Sequence, residues 1–105
     1  MTATARLYGG SLYELAAEEG LTEVLMEQTC QIRQIFRENP DYLKLLAEPS
    51  IPKQERTGLI DAAFGTQAER YLLNFIKLLC ERGILNEYSG CCEEFARRYN
   101  VDHNI

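Results

Sequence analysis

The sequence predicts an all-α fold, a six-helix bundle. Two observations carry this. Turn signals cut the chain into six segments, each with apolar residues at helical spacing. No segment alternates apolar and polar residues as a half-buried strand does, and no hairpin dipeptide joins two β-branched runs. No repeat or low-complexity tract interrupts the pattern. At 105 residues the chain has room for one domain with one modest core, so residues 1–105 are read as a single helical domain.

The first helix is predicted from about Thr4 to Glu19, with Ala5, Tyr8, Leu12, Leu15 and Ala16 on one face and Gly20 as its stop. Gly9-Gly10 weakens it, at about 1 kcal/mol per glycine relative to alanine, so something outside the local sequence must hold it. The second runs from Thr22, read as its N-cap, to about Glu38, with Leu25, Ile32, Ile35 and Phe36 as its stripe. Asn39-Pro40 ends it and opens the third: Asn39 is read as a cap, and Pro40 suits a first turn where its missing N–H is not needed. That short helix covers roughly Pro40 to Ala47, with Leu43 and Leu46 inward, and stops before Pro49. The fourth follows Pro52 and ends at Gly65, with Leu59, Ile60, Ala63 and Phe64 apolar.

The fifth helix opens on Thr66-Gln67-Ala68-Glu69, which has the form of a capping box. Its apolar residues, Tyr71, Leu72, Leu73, Phe75, Ile76, Leu78, Leu79 and Cys80, spread over more than half the circumference, leaving Arg70, Asn74, Lys77 and Glu81 on a narrow polar side. Such a helix is either central or carries apolar surface beyond what the core uses. The sixth runs from about Asn86 to Asn100, lined by Leu85, Tyr88, Cys92, Phe95 and Tyr99. The tail after Asn100 is expected to fray.

Charge and composition exclude several classes. The net charge is −5, with 11 basic residues scattered among 16 acidic ones, which argues against nucleic acid as a partner. No apolar run approaches the ~20 residues of a membrane span, so no direct membrane insertion is expected. Acidic residues stand where a signal peptide would have its apolar centre, and the chain is read as cytosolic. The four cysteines, Cys30, Cys80, Cys91 and Cys92, form no CxxC and no zinc spacing with histidine, so they are read as reduced thiols, some buried. No metal, cofactor or catalytic residue is assigned. The lone histidine, His103, lies in the tail; Gly9-Gly10 lacks a phosphate-loop pattern; Glu18-Glu19 and Glu93-Glu94 are adjacent on helices and are read as solvated faces. What remains is association. The apolar excess of the fifth helix, with the two glycines of the first, suggests a groove open to another helix, the alternative being that Phe75, Leu78 and their neighbours simply fill the core.

Three stretches resemble the ATP synthase delta subunit family, whose mitochondrial members are the oligomycin-sensitivity-conferring proteins. YGGSLYELAAEEG (Tyr8 to Gly20) looks like the family's opening helix. NPDYLKLLAEPSIPKQERTGLIDAAF (Asn39 to Phe64) resembles its middle: Asn-Pro, a Leu-rich helix, Pro-x-Ile and a helix ending in Phe. Asn74 to Asn100 resembles its last part, an Asn-Phe-led apolar helix, a Gly, and a helix ending in Phe-x-x-x-Tyr. Gly9, Gly10, Pro52 and Ile84 depart from the pattern.

The resemblance implies the N-terminal six-helix domain of a delta subunit, with the C-terminal stalk-binding domain absent from this chain. It implies a non-catalytic stator component that ties the catalytic head to the peripheral stalk at the cytoplasmic face of the membrane and so supports ATP synthesis driven by proton-motive force. The implied partners are the N-terminal helix of an alpha subunit and, through the absent domain, the stalk b subunit. Carried over by position, the groove for the alpha-subunit helix would use Tyr8, Ser11, Leu12 and Leu15 with Tyr71, Asn74, Phe75 and Leu78. The rival reading is a free-standing helical adaptor or small-ligand-binding regulator.

Overall fold

The computed structural model describes residues 1–105 and is all-α: six helices and no strand, in a body of 44 × 29 × 23 Å. The helices are α1 (Ala3–Glu19), α2 (Thr22–Glu38), α3 (Pro40–Leu46), α4 (Lys53–Phe64), α5 (Arg70–Glu81) and α6 (Tyr88–Asp102), with a 3₁₀ turn over Leu85–Glu87 leading into α6. α6 is the hub, with α1 along one side and α2 along another, while α4 packs on α5. The core is continuous through all six: Leu12 and Tyr13 of α1, Leu25 and Phe36 of α2, Leu46 of α3, Ile60 of α4, Leu72, Ile76 and Leu79 of α5, and Tyr88 and Phe95 of α6. Phe36 is the aromatic centre, with the rings of Tyr42, Phe64 and Tyr88 at 6.2, 6.1 and 5.4 Å from its own.

The diglycine of α1 is explained by α6. A Cβ on Gly9 would lie 2.5 Å from the Cys91 carbonyl oxygen and 2.9 Å from its Cα. The two helix backbones therefore touch at Gly9, and glycine is what allows them to. At Gly10 the space is taken by the guanidinium of Arg98. The propensity lost in α1 is offset by close packing on its neighbour.

Several local expectations are corrected. Thr22 is the first residue of α2 rather than its N-cap. Leu21 holds the cap position without a side-chain bond, because the Gly20-Leu21 turn already presents the Leu21 carbonyl to Leu25 N–H. Asn39 holds the N-cap position of α3, where its carbonyl accepts from Tyr42 and Leu43 N–H, but its side chain makes no cap bond: Nδ2 donates to the Ile35 carbonyl at 2.9 Å and closes α2 instead. The Thr66–Glu69 capping box does not form, since the Gln67 and Ala68 N–H groups both turn back to the Phe64 carbonyl. Glu69 is the cap, accepting from Tyr71 N–H at 2.6 Å, while its own N–H donates to Gln28 of α2 at 2.7 Å. α1 begins one residue before the predicted start, with Thr2 Oγ1 accepting from Ala5 N–H at 3.0 Å.

Ile35 and Ala63, assigned to inward stripes, are exposed. The tail is more ordered than predicted. α6 continues to Asp102, whose carboxylate accepts from the Tyr13 hydroxyl at 2.6 Å, and the ring of His103 stacks on Tyr99 at 3.9 Å. Glu94 is no solvated residue: its side chain is 1% exposed and paired with both Arg97 and Arg98.

Candidate functional site: a trough between α1 and α5

α1 is held by α6 and α2, and α5 by α4, so the backbones of α1 and α5 stay apart and their facing side chains leave an open trough of about 440 Å³. On α5 the lining follows helical spacing, with Tyr71, Asn74, Phe75, Leu78 and Arg82 one or two turns apart. On α1 it is Leu7, Tyr8, Ser11, Leu12 and Leu15, again at three- and four-residue steps. Every groove residue named from the sequence lies in this lining.

The floor and the walls differ. Leu12 and Phe75 are buried at 4% and 8% exposure and belong to the core as well as to the trough. Leu78 is 36% exposed and Leu7 67%, so large apolar side chains stand on the rims. Tyr8, Leu15 and Tyr71 are half-buried, and Ser11 and Asn74 are exposed. The breadth of the α5 stripe thus serves both purposes: Leu72, Leu73, Ile76, Leu79 and Cys80 fill the core, and Tyr71 and Leu78 face the trough. The expected polar side of α5 is divided, with Asn74 toward the trough and Lys77 turned to α4, where its Nζ meets Asp61 at 2.5 Å. The Ser11 hydroxyl donates to the Leu7 carbonyl at 2.9 Å, so it is satisfied inside α1 and leaves a small surface at mid-trough.

Leu7 and Arg82 were missing from the sequence reading. Extending each stripe by one turn reaches both: Leu7 precedes Ser11 by four residues and Arg82 follows Leu78 by four. Arg82 closes the end of the trough, donating from Nη1 to the Tyr8 hydroxyl at 2.5 Å. No carboxylate lines the cleft.

The other clefts are less apolar or smaller. The one beside Tyr13, Glu14, Glu18, Arg97 and Asp102 is rimmed with charges of both signs. No cluster of histidine, cysteine and carboxylate side chains has the arrangement of a metal site, and no helix is long and apolar enough to cross a membrane. Burial pushes the Cys91 thiol up to about 11 and the Cys92 thiol up to about 12, so both are held as neutral packing groups.

The chain is 25% identical over 101 residues to the ATP synthase subunit delta of Lachnoclostridium phytofermentans, covering 96% of this chain and 56% of that protein. It is 31% identical over 93 residues to that of Shouchella clausii (89% of this chain, 51% of the relative) and 32% identical over 94 residues to that of Gloeobacter violaceus (89% and 51%). The chain spans about half the length of the curated relatives it matches. The family profile described as ATP synthase delta (OSCP) subunit matches residues 4–105, and the chain belongs to that family.

Proposed function

We propose that the α1–α5 trough receives the amphipathic N-terminal helix of an ATP synthase alpha subunit. By that grip the chain serves as a non-catalytic stator element. The rotor exerts torque on the catalytic head as protons drive it, and a head free to follow the rotor would make no ATP. A delta subunit clamped to the head and joined to the peripheral stalk b subunit, through a C-terminal domain, would hold the head still at the membrane's cytoplasmic face. The part played by these residues is mechanical.

The observation that carries the proposal is the trough itself. It is largely apolar, open to solvent and walled by two helices. An amphipathic helix laying its apolar face into such a groove is a general mode of recognition. Ser11 keeps one wall low enough for close approach, and Asn74 offers an amide to a polar group of the incoming helix. Membership of the ATP synthase delta (OSCP) subunit family supports the reading.

The test is calorimetric titration with a peptide of the first ~25 residues of the cognate alpha subunit, long enough to present several helical turns. Ser11→Asp should melt close to the wild type, since Ser11 is exposed in the free chain. Its affinity should fall by ~10²-fold or more, because a docked helix would bury the carboxylate without a partner. Unchanged affinity in a folded variant would place the docking site elsewhere.

A further inference from the structure

This inference rests on the trough as a helix-docking site and specifies the chemistry of its occupant. Among the residues lining the trough, Arg82 alone is charged, and it stands where α5 stops. The chain as a whole is acidic, at −5, yet the trough holds no carboxylate to neutralise this arginine. Arg33, Arg97 and Arg98 each pair with a glutamate, and Arg56 is buried against backbone carbonyls; Arg82, like Arg6, Arg37 and Arg70, takes part in none of the chain's ion pairs, and of these four it is the one that lines the trough. Its contacts are with Tyr8: the hydrogen bond to the hydroxyl, and a guanidinium carbon 5.8 Å from the ring centre. These hold the head group over the trough without cancelling its charge. A guanidinium has five N–H donors in a planar fork, so one bond to a phenol leaves a second face open for bidentate pairing.

We propose that Arg82 sets the register of the docked helix by pairing with a carboxylate on it. The occupant is an amphipathic helix of a partner subunit with apolar side chains at three- and four-residue intervals over about two turns, and an Asp or Glu about one turn beyond the last of them, about three turns in all. From Tyr71 to Arg82 the lining advances roughly 16 Å at 1.5 Å per residue, which sets that span. Apolar contacts alone fix such a helix poorly, because a slide of one turn exchanges one apolar contact for another. A charge pair at one end penalises every other register, since the arginine is then covered without its partner. A second copy of this chain is a poor occupant: acidic chains repel one another, and so short a trough offers little of the ~1,200–2,000 Å² that a stable pair buries.

The experiment titrates the 105-residue chain with the same alpha-subunit peptide and with peptides in which each Asp or Glu is changed in turn to its amide. The chain is used as wild type, Arg82→Gln, Arg82→Glu and Leu78→Asp, each checked by thermal melting. Arg82→Gln should weaken binding by ~10-fold and Arg82→Glu by more. One acid-to-amide peptide should weaken wild-type binding by the same factor and leave Arg82→Gln unaffected. If both Arg82 variants bind within about twofold of wild type while Leu78→Asp has lost binding, the inference is overturned and docking stands. If Leu78→Asp also binds as wild type does, the docking reading itself fails. Self-association of the chain that Leu78→Asp abolishes would overturn the inference in favour of a second copy.

Discussion

Glu94 is the residue at which local reading and tertiary structure part. In the sequence it is half of an acidic pair, and its neighbour Glu93 does lie outside, bridging to Arg33 at 3.0 Å. Glu94 itself falls on the face of α6 that Gly9 allows α1 to approach, and a Cβ on Gly9 would sit 3.0 Å from the Glu94 Cβ. Its carboxylate accepts from Arg97 at 2.8 and 2.9 Å and from Arg98 Nε at 2.8 Å, and Arg98 reaches on to Glu14 of α1 at 3.3 Å. The bonds from Arg97, reinforced by those from Arg98 and opposed by burial, hold the carboxyl at about 2, below its ordinary 4.5. A carboxylate whose pKa is lowered on folding stabilises the native state above its unfolded value, and that contribution is lost as pH falls through the folded value. Stability in urea should therefore decline as pH falls from about 4.5 to about 2. Glu94→Gln should be less stable at neutral pH by about 1–3 kcal/mol, nearer the lower figure because water reaches the exposed Arg97 and the half-buried Arg98. It should also lose less over that acid window. Equal slopes for variant and wild type would assign the acid sensitivity to other carboxylates.

At the scale of elements, the α1–α6 contact distinguishes Gly9 from Gly58. Gly58 lies in α4 with nothing within 4 Å of the Cβ position, so alanine there should gain about 0.5–1 kcal/mol in helix propensity at no steric cost. Gly9→Ala brings the same gain, but its new methyl meets the Cys91 backbone, which cannot move aside without shifting α6. It should destabilise the chain by about 1–3 kcal/mol, as overpacking generally does. Chemical denaturation of the two variants side by side measures this, and a stabilised Gly9→Ala would mean that α1 stands off α6. The glycines also show what was legible. Six helices could be read because each carries its own apolar period, a property of the local sequence. Their bounds followed to within about two residues, but the groups that close them could not be read, because these come from other elements: Gln28 of α2 meets the start of α5, and Arg56 of α4 donates to the Leu46 carbonyl at the end of α3. Thr22, Asn39 and Thr66 have the right chemistry for caps, but backbone turns or tertiary partners had already satisfied the groups they would have bonded.

For the whole molecule, the wide α5 stripe left open whether its surplus fills the core or faces a groove, and the lining residues of both helices came from the family resemblance. The trough's rim residues Leu7 and Arg82 were missed, because one lies on the outer edge of the α1 stripe and the other follows the end of the α5 pattern. What joins these parts into one body can be measured through the cysteines. Cys30 is exposed on α2, whereas Cys80, Cys91 and Cys92 are buried at three different joints. Cys80 Sγ donates to the Leu46 carbonyl of α3 at 3.4 Å, Cys91 lies under Gly9 of α1, and Cys92 Sγ donates to the Thr29 carbonyl of α2 at 3.7 Å. A thiol reagent thus reads three helix interfaces against an exposed internal control. Bonds at the start and in the second half of α1, Thr2 to Glu87 at 2.5 Å and Tyr13 to Asp102 at 2.6 Å, tie it to the 3₁₀ turn and α6, so α1 should not open alone. Cys30 is expected to react at the rate of a free thiol, and the three buried cysteines at one slow rate, equal within about threefold, that rises together with denaturant. A helix bound in the trough should slow those three in common and leave Cys30 unchanged, because a ligand that binds only the folded state lowers the population of every opened form. Early reaction at Cys91 alone, read by mass spectrometry of quenched samples, would show instead that α1 detaches from α6 while the rest stays folded, and the trough would then lose one wall before the core gives way.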